Sequence, residues 1–187
     1  KGSWILKHVG NFKEVQPYKQ SEREYVSGES FKYLGKQYRL RVQQTSEEEM
    51  VKYFRGFIYL HVKDPNNFSR KAKLMEEWYR KKARIIFNES LEKMYPSLQK
   101  YGVEKPKIDI RLMKARWGSA QTEKKTILLN SELIKAPKYC IDYVVLHELI
   151  HFMYNDHSEN FYQMLYTLMP DWEKRKEILD EEVVRVI

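Results

Sequence analysis

The sequence predicts an α+β fold in which a small antiparallel sheet packs on helices and one helix runs through the centre. Three observations lead there. Residues 31 to 62 and 107 to 130 alternate apolar and polar positions with the period of half-buried strands. Residues 69 to 95 repeat apolar positions at helical spacing. The stretch from Pro137 to Met153 is apolar all round, as a helix without a solvent face must be.

A length of 187 residues fits one domain with a sizeable core, or one domain with a small appendage. The change of period divides it into an N-terminal part, 1–64, with a helix and β-hairpins, and a core, 65–187. With 42% hydrophobic and 32% charged residues the chain is globular rather than disordered. It has no run of 18 apolar residues and opens with no basic-then-apolar leader, so neither a membrane span nor a signal peptide is expected. A cytoplasmic location follows, and the one cysteine, Cys140, agrees with a reducing compartment. Seven residues before His147, Cys140 reads as a small apolar filler. The formal charge of +8 makes nucleic acid the first polyanion to weigh as a partner. A bland account competes, because cations interleave with acids, as from Lys71 to Arg84, where they form a solvated helix face.

In chain order, Trp4, Ile5, His8, Val9, Phe12 and Val15 predict a helix that ends before Pro17. That helix starts ahead of residue 1, so the chain is expected to lack a native N-terminal segment. Phe31–Leu34 and Gln37–Val42 flank Gly35-Lys36, and Met50–Phe54 and Phe57–Val62 flank Arg55-Gly56, which predicts two β-hairpins. His61, alone among apolar neighbours, reads as a surface or core residue. After Asp64-Pro-Asn-Asn67 comes the longest helix, with Ser69 as N-cap and Pro96 as its stop. Its stripe of Met75, Trp78, Tyr79, Ala83, Ile86, Phe87, Leu91 and Met94 reads as core. Ile108, Ile110 and Leu112 line the buried face of a strand that can pair with Thr126–Asn130. Between them, Lys114–Gln121 is a turn rich in hydrogen-bonding groups. A substrate peptide added to a strand edge there would meet Arg116, Trp117 and Ser119, although an ordinary hairpin loop with a packed Trp explains the turn equally well.

Pro137 then opens the central helix, where a missing N–H costs least. On it His147 and His151, four residues apart, lie on one face and can aim both imidazoles at one ion. Glu148 sits about 100° round the axis, the general-base position of H-E-x-x-H hydrolases. A catalytic zinc needs three protein ligands and an open site, and His157 is the nearest third ligand. Asn155-Asp156 turns the chain back, and an Asp156/Glu159 capping box places His157 in the first turn of a helix anchored by Phe161, Leu165 and Leu168. Arg116 and Tyr143 are candidate donors for a developing oxyanion. A closing helix runs from Trp172 to about Val184. A buried helix with hydrogen-bonded core histidines is the plain rival, but three of five histidines fall within eleven residues. A second rival is a nucleic-acid-associated module whose zinc is structural; it needs a fourth ligand, and only Cys140 is near.

Trp78-Tyr79, Arg116-Trp-Gly-Ser119, Ile127–Asn130, Glu132–Pro137, Tyr143–His151, His157 with Phe161, and Pro170-Asp-Trp172 together resemble the YgjP-like metal-dependent hydrolases. These are minimal zincins related to the SprT-like proteases. The resemblance extends over nearly the whole chain, including Tyr25–Glu29 and the hairpin at Gly35. It implies a zincin-like core, one zinc ion bound by His147, His151 and His157, Glu148 as base, a peptide or protein substrate, and a β segment ahead of residue 1. Ala120 stands where the family usually has Cys after Arg-Trp-Gly-Ser, so no thiol role carries over. The histidine spacing also matches metzincins, but Tyr154 occupies their glycine position and no Met-turn sequence follows.

Overall fold

The computed structural model describes residues 23–184, with side chains through Glu181. The helix expected over residues 4 to 16 lies outside that range.

The first four strands are β1 (Ser30–Tyr33), β2 (Lys36–Gln44), β3 (Met50–Phe54) and β4 (Phe57–Val62), and they form both expected hairpins. Each closes through two residues at positive φ, Leu34-Gly35 (48° and 78°) and Arg55-Gly56 (47° and 81°), the signature of a type I′ turn. The first turn thus sits one residue earlier than Gly35-Lys36. The strand order is β1-β2-β4-β3, with β2 and β4 parallel, so the sheet is mixed rather than purely antiparallel. Burial explains the order. Ile58, Leu60 and Val62 of β4 are fully buried and take an interior place, while the mostly exposed β3 is left at the edge.

The inner face of this sheet, with Phe31, Leu40, Ile58 and Leu60, shares one core with Met75, Trp78 and Phe87 of α1 (Phe68–Met94). Asn67 rather than Ser69 caps α1, because its side chain accepts from Arg70 N at 2.9 Å. Pro96 stops α1 and begins the short α2 (Pro96–Gln99).

A second sheet holds β5 (Lys107–Arg111), β6 (Gly118–Gln121) and β7 (Thr126–Asn130) in the order β5-β7-β6. The expected pairing of β5 with β7 is present but parallel, because part of the presumed loop is itself a strand, β6, antiparallel to β7. Leu112, assigned to the buried face, lies past the end of β5 and is 76% exposed.

A 3₁₀ turn over Ser131–Lys135 leads into α3 (Lys138–Ile150), followed by α4 (Glu159–Leu168) and α5 (Trp172–Val184). Every residue of α3 from Cys140 to Ile150 is buried, so α3 is the central helix. Asp142 ties it to α1, accepting from Ser90 Oγ at 2.7 Å and from Lys93 Nζ at 2.5 Å. The β1–β2 turn fixes its entrance: Leu34 and Gly35 donate their N–H groups to the carbonyls of Ile134 and Lys135 at 3.1 and 2.9 Å. A Cβ on Gly35 would lie 2.7 Å from Pro137 Cγ and 3.1 Å from its Cα. Gly35→Ala is therefore expected to cost about 1–3 kcal/mol through the left-handed backbone alone, more with the clash, seen as a lower denaturant midpoint.

Candidate active site

The last turns of α3 carry the titratable side chains of the site. His147 and Glu148 are each 5% exposed, and His151 is the C-cap residue, partly open. Past it the chain turns through Phe152, Met153 and Tyr154, whose N–H groups reach back to Leu149 and Ile150 carbonyls. His157 lies one residue before Ser158, the N-cap of α4. The expected Asp156/Glu159 capping box is not the device that holds it, since His157 is outside the helix and Asp156 is not the cap. Packing holds it instead. Its ring centroid is 4.9 Å from that of His147, 4.7 Å from His151 and 4.8 Å from the fully buried Phe161.

One ligand atom from each of His147, His151 and His157 falls within 4.8 Å of the others. His157 Nε2 and His147 Nε2 are 2.9 Å apart. His151 Nδ1 is 3.0 Å from the Tyr154 carbonyl, which can only accept, so the proton is on Nδ1 and the lone pair on Nε2. Burial holds His147 well below the usual imidazole range, and burial likewise lowers His151 and His157. Neutral imidazoles with converging lone pairs are the donor set a zinc ion requires. Ligands of a tetrahedral zinc stand about 3.3 Å apart, between the 2.9 Å of the His147–His157 pair and the 4.8 Å that bounds all three.

Glu148 is held by β6. Burial pushes its carboxyl up to about 8, opposed by a hydrogen bond from the Ala120 N–H and by the positive charge of Arg116. Gly118 packs directly against it: a Cβ there would lie 2.7 Å from Glu148 Cγ and Oε1. Asn130 orders the loop that delivers this strand. Its amide donates to the carbonyls of Met113 and Arg116 at 2.9 Å each, and its own N–H donates to Trp117 O at 2.9 Å.

Of the residues expected to meet substrate, Trp117 and Tyr143 line a cavity beside His147 and Glu148. Tyr143 sits edge-on to His147 at 5.9 Å and stacks on Trp172 at 6.4 Å; burial raises its phenol, which stays a hydrogen-bond donor. Arg116 is exposed but close enough for its charge to act on Glu148. Ser119 is not among the cavity residues. Sequence reasoning missed the contact of Gly118 with Glu148, the Ala120 N–H, and the far wall of the cavity. That wall is α5, with Leu179 and the Lys176–Asp180 ion pair at 2.8 Å. The Arg-Trp-Gly-Ser run was the available signal for the first two; α5 reads locally as an ordinary surface helix.

Two solved structures are similar to part of this chain. The crystal structure of the metallopeptidase zymogen abylysin of Pyrococcus abyssi shares 24% identity, covering 53% of this chain and 93% of that one, with a TM-score of 0.44. The metallopeptidase zymogen jannalysin of Methanocaldococcus jannaschii shares 24%, covering 54% of this chain and 97% of that one, with a TM-score of 0.43. No curated protein matches. The sequence matches the YgjP-like metallopeptidase domain over residues 1–182, almost its entire length. With that match, and with three histidines grouped as a metal site demands, the chain belongs to the YgjP-like family of metallopeptidase domains.

Proposed function

We propose that His147, His151 and His157 hold the single zinc ion of this metallopeptidase, and that Glu148 is the general base for peptide-bond hydrolysis. The observation that carries this reading is the convergence of three neutral imidazoles beside a buried carboxyl. When bound, zinc supplies Lewis acidity toward the scissile carbonyl and a more acidic water, and its charge draws Glu148 toward the ionised form. Glu148, oriented by the Ala120 N–H and confined by Gly118, accepts a proton on its carboxylate and returns it to the leaving nitrogen. Tyr143 and Arg116 are the nearby donors for the developing oxyanion. Because β6 is the edge strand of its sheet, a peptide or protein substrate is read as adding along it in extended form, past Trp117 and Ser119.

A structural zinc would need a fourth protein ligand, and Cys140 does not supply it. Its thiol faces the Arg175 carbonyl at 3.4 Å, and burial pushes it up to about 12, far from the thiolate that binds metal. Residues 65–187 are the part of the chain this reading assigns to catalysis, with the preceding sheet as a brace at the entrance of α3. Among the described residues no helix is long and apolar enough to cross a membrane, and the free, buried Cys140 favours the cytoplasm.

Chelation followed by dialysis is expected to abolish cleavage of an unfolded protein such as casein, and added zinc to restore it. His157→Ala is expected to weaken zinc binding at least about tenfold by competition with a chromogenic chelator. Undiminished cleavage by metal-free protein would reject the reading.

A further inference from the structure

The first sheet has a second face that the peptidase reading leaves unused. Alternation along the strands turns Arg39 and Arg41 of β2, Lys52 and Phe54 of β3, and Phe57 and Tyr59 of β4 away from α1. The register sorts them into two rows across the sheet, Arg39–Phe57–Phe54 and Arg41–Tyr59–Lys52. Phe54 is 52% exposed, and the three cations are exposed as well. The Arg41 guanidinium lies 3.6 Å from the Phe57 ring centroid and donates to Tyr59 OH at 3.4 Å.

Cations gather on this face beside aromatic rings, with no carboxylate between them. Lys93, Lys105, Lys125, Lys138 and Arg175 are paired with carboxylates, whereas Lys73, Arg80 and Lys81 of α1, like the cations of this face, are in no ion pair among the described residues. Among the described residues Arg39, Arg41, Lys52 and the adjoining Arg55 have no acidic partner, and no carboxylate lies in the two rows. Acids flank it at either side: Glu49 in the Glu47–Glu49 loop is engaged by Arg70 at 2.6 Å and by Lys63 N at 2.9 Å, and Glu29 ahead of β1 is engaged by Arg23 at 3.2 Å. Flat aromatic rings interleaved with unneutralised cations on an open sheet complement a chain that offers both phosphates and exposed base faces.

We infer that this face binds single-stranded nucleic acid, with Arg39, Arg41, Lys52 and Arg55 on the phosphates, Phe54 and Tyr59 against the bases, and Phe57 holding the Arg41 guanidinium in place. A duplex keeps its base faces stacked inside and leaves the rings without partners. The sheet's other face packs on α1, so the platform is separate from the histidine site and does not depend on its assignment.

The test is fluorescence anisotropy of a labelled 15-nucleotide oligo(dT) with the full chain at about 50 mM salt. Binding is expected to weaken as salt rises, with a log–log slope of roughly −2 to −3 for three or four phosphate contacts. Phe54→Ala is expected to weaken it about tenfold. The combined Arg39→Gln, Arg41→Gln, Lys52→Gln variant is expected to reduce the slope to about −0.7, the share of Arg55 alone, with zinc content and casein cleavage unchanged as evidence of folding. Absence of binding at 50 mM salt would overturn the inference. So would equal binding of heparin or of a duplex of the same length with Phe54→Ala silent, which marks a general polyanion surface. Self-association abolished by the same substitutions would assign the face to a second copy and overturn it too.

Discussion

Glu148→Gln is expected to lower kcat by about 10²–10⁴-fold while zinc content and the thermal midpoint stay near those of the unchanged protein. Gln has nearly the shape of Glu and keeps an oxygen to accept from the Ala120 N–H, so the packing under Gly118 is preserved. What it lacks is a basic oxygen that can accept and return a proton. Stability should not suffer, since a carboxyl that burial raises to about 8 is a costly group to keep ionised in the folded chain. The measurement is steady-state cleavage beside metal analysis of the same preparation. Turnover within a few-fold of the original would remove Glu148 from the mechanism; lost zinc would show that it acts through the ligands instead.

Gly118→Ala is expected to lower kcat by about 100-fold with zinc retained. The added methyl would stand 2.7 Å from Glu148 Cγ and Oε1 and 2.9 Å from Cδ, well inside contact distance. Gly118 is not among the glycines at positive φ, so alanine suits its backbone and the whole effect falls on the neighbour. Glu148 is buried and must give way, and a displacement of about 1 Å in a reacting group can cost that factor. Combining both substitutions separates this account from general destabilisation. Once Glu148→Gln has removed the base, Gly118→Ala should add little to the loss in kcat, because the two act on one group. Fully additive losses would show that Gly118 matters for another reason.

The histidine cluster was legible in the sequence because its code is local. Four-residue spacing on a helix puts His147 and His151 on one face whatever surrounds them, and a helix apolar on every side has to be central. The hairpins were legible for the same reason: a short turn containing Gly between alternating runs specifies its own pairing, although the first turn proved to be Leu34-Gly35 rather than Gly35-Lys36. His157 was found by proximity, but its support was misjudged. The capping box was a plausible local signal, whereas the ring is held by Phe161 and the other two histidines.

Other features depended on contacts between distant parts of the chain. Alternation identifies a strand without saying whether its neighbour is parallel, so the pairings of β2 with β4 and β5 with β7 followed from which strands had most to bury and from β6 lying between the latter two in sequence. A glycine at ordinary φ gives no sign of why it is glycine. Gly118 acquires its meaning from a carboxyl 30 residues later, and α5 from the cavity it closes. The sequence by itself determined the type and spacing of the three clustered histidines, the glutamate beside them and the centrality of their helix, because each is a property of consecutive residues. Only the tertiary structure decided how that glutamate is aimed, what confines it and which basic side chains gather on one sheet face. Those depend on distances across the fold, and hydrophobic periodicity carries no record of them.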